Sequence, residues 1–197
     1  MTLDLPTLLR LAWDSVRAPR EGARAIMQTA IPRSARWEAL LLVVVVSVIL
    51  GQISTYLMHG APGPVFAPFL ANPLMSGIVQ MSLTVIMVFA VYWIGAAMGG
   101  NGDFGDAILL IAWMQFIMIC LQVIQFAAMI LLPPLASLIG IAGFVLFFWL
   151  LTNFVAELHG FASLGKVFLM VIVSMLGAAF ALSVLLSIIG VTVPGAP

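Results

Sequence analysis

Apolar and polar positions fall into two regimes along the chain. From about residue 37 onward, long apolar runs alternate with short connections. Five of these runs, about 37–57, 74–98, 107–132, 135–156 and 167–191, reach the roughly 20 residues a helix needs to cross a hydrocarbon core about 30 Å thick. None shows the period-two alternation of a membrane β-strand, so helices are expected. Before residue 37 the pattern differs. Leu5, Leu8, Leu9, Ala12, Trp13 and Val16 recur at helical spacing while Arg10, Asp14 and Arg17 occupy the other positions, which predicts a short amphipathic helix over 5–17. Pro19 suits the first turn of a second helix, and Pro32 stops it. The expected architecture is all-α and polytopic, with a cytoplasmic amphipathic arm over 1–36 and a five-helix transmembrane domain over 37–197.

The connections differ in kind. The stretch HGAPGPVFAPFLANP holds Pro62, Pro64, Pro68 and Pro73 and no charge. It is expected to rest on the membrane interface. LLPPLAS leaves room only for a tight turn, which makes the third and fourth spans antiparallel neighbours. GGNGDFGD joins the second and third spans, and ELHGFASLGK joins the fourth and fifth.

Composition changes little in this picture and sharpens the class. The chain of 197 residues is 64% hydrophobic and 7% charged, against about 45–50% and 25% in a soluble domain, and its mean hydropathy is +1.25. It reads as an integral membrane protein. A formal net charge of zero removes the usual argument for nucleic acid as a partner. One cysteine, Cys120, allows no internal disulfide. The first 38 residues hold no unbroken apolar leader, so no cleaved signal is expected.

Charge placement then sets an orientation. Six arginines precede the first span and the remaining base, Lys166, precedes the fifth. With five spans, all of these bases fall on one side, which the positive-inside rule makes cytoplasmic. The N-terminus is expected in the cytoplasm and the C-terminus outside. Trp37, Trp93 and Trp149 are expected near the inner ends of their spans. Arg10, Trp13, Arg17, Arg20, Arg24, Arg33 and Arg36 are the candidates for contact with an anionic headgroup layer, where each base gains about 1 kcal/mol. Setting topology alone is the competing role for these arginines.

Two motifs carry little weight. GNGDFG matches the letters of a dinucleotide-binding loop but follows a membrane span instead of a strand. The same letters spell GxGD, yet an intramembrane aspartyl protease needs a second carboxylate from another helix. Between Ala39 and Gly102 there is no acid, and after Asp106 only Glu157. Asp103 is expected to cap the third span.

More substantial is the set Asp103, Asp106, Glu157, His159 and Lys166, which the topology gathers on the arm's side of the membrane. An ion-paired network holding the arm against the loops is expected there, with no metal and no cofactor. Within the spans, Gln115, Gln122 and Gln125 share one face of the third, and Gln80 and Asn153 lie on the second and fourth. These amides either bond between helices or line a polar path.

The order of features resembles the bacterial branch of the Yip family, the five-span Ypt/Rab-interacting-protein-like membrane domains. The resemblance rests on WDSVRAPREGAR in the arm, on NGDFGDAILLIAW leading into the third span and on ELHGFASLGKVF between the last two. It implies a cytoplasmic N-terminus, five spans and a bacterial inner-membrane location. Eukaryotic members act in vesicle trafficking and membrane shaping with small GTPases. Their Asp-Leu-Tyr-Gly-Pro type motif is not evident in this sequence, so GTPase binding is not carried over, and no catalytic residues come with the resemblance.

Two function classes stay open. One is a non-enzymatic membrane-organising, assembly or accessory subunit in contact with lipid, with a membrane-protein partner or with a second copy of itself. The other is a small transporter or channel along the glutamines.

Overall fold

The computed structural model describes residues 4–59 and 72–188. The uncharged proline-rich loop expected at the interface falls almost wholly outside them, as do the last residues expected in the fifth span. The described residues form seven helices: α1 (Leu5–Arg17), α2 (Pro19–Met27), α3 (Arg33–His59), α4 (Pro73–Ala97), α5 (Phe104–Leu131), α6 (Pro133–His159) and α7 (Leu164–Ile188). Five of them, α3 to α7, are long and apolar enough to cross a membrane.

Local chemistry sets the ends of these helices. Pro19, Pro73 and Pro133 each open a helix, where the missing N–H would have had no partner anyway. The Asn72 side chain accepts from the Leu74 amide at 2.9 Å and starts α4. Asp103 does the same for α5, accepting from Gly105 at 2.7 Å and Asp106 at 3.3 Å. Gly160 ends α6 with φ of 73°, a left-handed position that glycine takes at little cost. Two expected boundaries move. α3 begins at Arg33, so Arg33 and Arg36 sit in its first turns and not in the arm. α6 begins directly at Pro133, because a proline pair suits a helix start as well as a turn.

The central element is α5. In its most apolar window 56% of residues are buried inside the protein, against 11–28% in the other four long helices. α3, α4 and α6 pack around it, and α1 and α2 lie against its N-terminal half. The run Ala107 to Met114 is buried on every side, as a helix must be when neighbours surround it. α7 packs chiefly on α6. The outer faces of the long helices expose Leu, Ile, Val and Phe, as lipid-facing surfaces do.

Trp37 and Trp93 are exposed near the end of the bundle that carries the bases. Trp149 is not at that level. It lies ten residues before His159 on α6, about 15 Å deeper at 1.5 Å per residue.

Candidate functional site at the arm-docking end

The arm packs onto the bundle through small residues. Ala12, Ser15, Pro19, Gly22, Ala23 and Ile26 are all buried. They recur three or four positions apart, which lets backbones approach closely. At Gly22 a Cβ would overlap the Ser15 hydroxyl, and the Ser15 Cα would lie only 2.8 Å from it. Glycine is therefore what allows α1 and α2 to cross here. Ser15 donates to the Leu11 carbonyl at 2.8 Å and accepts from the Trp113 indole N–H at 3.0 Å. Both ends of that second bond are buried, so each satisfies a group that would otherwise cost about 1–3 kcal/mol.

Charge completes the docking. Arg20 Nε donates to Glu157 Oε2 at 3.1 Å, and its Nη2 donates to the Phe161 carbonyl at 2.8 Å. Arg24 meets the other carboxylate oxygen at 2.7 Å. Glu157 lies in the last turn of α6, where the helix dipole disfavours a negative charge, and two guanidiniums offset that. The pairs differ in value. The Arg24 side chain is 60% exposed, so its pair is screened and contributes about 0–1 kcal/mol. Burial of Ile26 contributes more, about 1.5–3 kcal/mol. Apolar docking thus holds α2 at least as firmly as charge does.

A second clamp joins α3 to α5. Arg36 Nη1 donates to Asp106 Oδ1 at 2.8 Å, and its Nε donates to the Ile31 carbonyl at 3.1 Å. A Cβ on Gly105 would lie 2.6 Å from that Nη1. The missing side chain is what lets the guanidinium lie over the first turn of α5.

The other expected cluster members take different places. Asp103 is occupied as the α5 cap. His159 turns inward and is 3% exposed. Its Nδ1 accepts from the Gly102 amide at 3.2 Å, so Nε2 carries the proton and donates to the Val91 carbonyl at 3.0 Å. The ring stacks on Phe161 at 5.6 Å. A Cβ on Gly95, Gly100 or Gly102 would collide with His159, so the end of α4 and the GGNGDFGD connection together form a pocket shaped around that imidazole. Lys166 is exposed, and among the described residues it forms no ion pair.

The remaining arginines make no ion pair among the described residues. Arg10 and Arg17 of the arm and Arg33 at the start of α3 are exposed, and Arg17 sits over the Trp13 ring with its guanidinium carbon 4.8 Å from the centroid. The single apolar face expected for α1 is in fact two. Ala12 is buried, with Leu8, Leu11 and Val16 partly so, whereas Leu5, Leu9 and Trp13 are 62%, 47% and 57% exposed.

Three of the five intramembrane amides bond from helix to helix. Gln80 donates to Ser47 on α3, Gln115 to Thr84 on α4 at 3.5 Å and Gln125 to the Ala136 carbonyl of α6 at 3.2 Å. Gln122 lies beside Gly51 of α3. Asn153 is buried and donates to Trp149 of its own helix at 2.8 Å.

Sequence reasoning missed Ser15, Gly22, Trp113 and Gly95 as parts of this site. The spacing of small residues in the arm was the available signal for the first two. Across 98 residues nothing marks Trp113 as the partner of Ser15. The Yip1 domain model matches residues 13–186. No curated protein and no solved structure matches the chain.

Proposed function

The chain belongs to the Yip1 domain family, and on that premise we propose that it is a non-enzymatic membrane-organising or accessory protein. In this reading its docked arm rests in the cytoplasmic headgroup layer of a bacterial inner membrane. The observation that carries this is the second apolar stripe of α1. Leu5, Leu9 and Trp13 stand one helical turn apart and face outward, flanked by the exposed Arg10 and Arg17. The bundle fixes the adjoining face of the same helix through Ala12 and Ser15, so the stripe is presented as a rigid wedge. A basic helix with an apolar outer stripe fits an anionic headgroup layer.

Two further observations support the reading. The acids of this end of the bundle are engaged: Asp106 by Arg36, Glu157 by Arg20 and Arg24, and Asp103 by backbone amides. Gln80, Gln115 and Gln125 bond between helices, which favours packing over a polar path. The orientation follows from the bases, all at the arm's end of the bundle.

Reconstitution of the full chain at rising density into vesicles containing phosphatidylglycerol tests the proposal. A density-dependent change in vesicle diameter that is lost in Leu9→Ser/Trp13→Ser is the expected result. Vesicles of unchanged shape at every density would overturn it.

A further inference from the structure

A groove between α4 and α7 has the polarity of a lipid. Over the inner part of its length it is a slot of about 310 Å³ walled by Met87 and Val91 of α4, Leu151 and Val155 of α6, and Val171 and Met175 of α7. Toward the basic end it continues into a cavity of about 410 Å³ at Met98, Phe161, Ser163 and Lys166. The two share a wall residue. Met170 lines both, Ile94 leads to Met98, the residue that caps the end of α4, and Met170 leads to Lys166 one turn along α7. From Lys166 to Ala178 the wall runs about 18 Å at 1.5 Å per residue. That is close to one leaflet, half of a core about 30 Å thick.

Charge selects the occupant. Lys166 stands at the mouth without an ion pair among the described residues. The nearest acid along the chain, Glu157, is taken up by Arg20 and Arg24, and Arg20 reaches the carbonyl of Phe161, which also lines the mouth. A cation at the headgroup level and a hydrocarbon slot one leaflet deep match an anionic amphiphile. A partner helix would have to be narrow enough to enter beside α6, and it would leave Lys166 unanswered. We infer that the α4–α7 groove is a binding site for one anionic glycerophospholipid, its phosphodiester at Lys166 and Ser163 and an acyl chain against Val91, Val155 and Met175.

The site shares no residue with the outer stripe of α1, so the two readings fail separately. The test is native mass spectrometry of the full chain in mild detergent, offered equal amounts of phosphatidylglycerol and phosphatidylcholine with identical chains. Retention of phosphatidylglycerol over phosphatidylcholine is expected. Lys166→Gln should reduce that preference about five-fold, Ala178→Trp should fill the slot and abolish retention of both, and Leu138→Ala, on an exposed face of α6 away from the groove, should change neither. An unchanged preference in Lys166→Gln, or full retention in Ala178→Trp, would overturn the inference. Should Ala178→Trp not fold, a phosphatidylglycerol with a photoreactive acyl chain decides the matter on the wild type. Adducts on the named α4, α6 and α7 residues support the site. Adducts confined to other faces, or a second copy of the chain occupying the groove, refute it.

Discussion

The indole N–H of Trp113, deep in α5, donates to the hydroxyl of Ser15 in the N-terminal arm at 3.0 Å. This bond ties the arm to the most buried helix of the protein, so loss of the arm's seat should be felt throughout the fold. Ser15→Ala leaves the indole donor buried without a partner and should cost about 1–3 kcal/mol. Trp113→Phe should cost more, through lost packing as well. In a double-mutant cycle on thermal unfolding in detergent, the pair should be non-additive. Additive losses would show that the bond does not couple the arm to α5.

Glu157→Gln removes the charge that Arg20 and Arg24 share. The expected loss is about 1–3 kcal/mol, most of it from the less exposed Arg20. Trypsin reads the effect directly, since both arginines lie in α2. Cleavage after Arg20 and Arg24 of the solubilised protein should be slow in the wild type and markedly faster in the variant. Equal rates would mean that the carboxylate does not hold the arm.

Gly22→Ala opposes two effects of known size. Helix propensity alone favours alanine by about 1 kcal/mol. A Cβ there, however, overlaps Ser15 and approaches its backbone to 2.8 Å, which no rotamer change relieves. The variant is expected to be less stable and more readily cleaved in the arm. A raised melting temperature would contradict the close crossing of α1 and α2.

Gln115→Leu separates packing from a polar path. Its bond to Thr84 is long, at 3.5 Å, so the substitution should change stability by less than about 1 kcal/mol. Vesicles carrying the protein should leak no more and no less of a trapped solute than before. A solute flux that disappears with Gln115→Leu would favour the transport reading instead.

The membrane-crossing part of this fold was legible because each span is an apolar run bounded by proline, glycine or an acid, and those signals are local. The five expected spans correspond to α3 through α7, with ends shifted where Arg33 and Pro133 join helices. The arm's two helices were legible from spacing and from Pro19. Its seat was not. An apolar stripe states that a face is covered, but not whether lipid or protein covers it, and in α1 the bundle buries one part of the stripe and leaves Leu5, Leu9 and Trp13 exposed. His159 misled for a similar reason: a histidine beside charged residues reads as a surface group, whereas three glycines on another segment make room for it inside. Such pairings are set by tertiary contact, which one strand of sequence does not display.

In the proposed function the bundle holds α1 with Leu5, Leu9 and Trp13 against lipid. Nitroxide accessibility tests it most directly, with Trp13→Cys and Ala23→Cys each made in a Cys120→Ser background and reconstituted with phosphatidylglycerol. A label at position 13 should collide freely with oxygen and little with a water-soluble nickel chelate, while one at position 23 should be shielded from both. A label at position 13 as open to the nickel chelate as an unfolded peptide would contradict it.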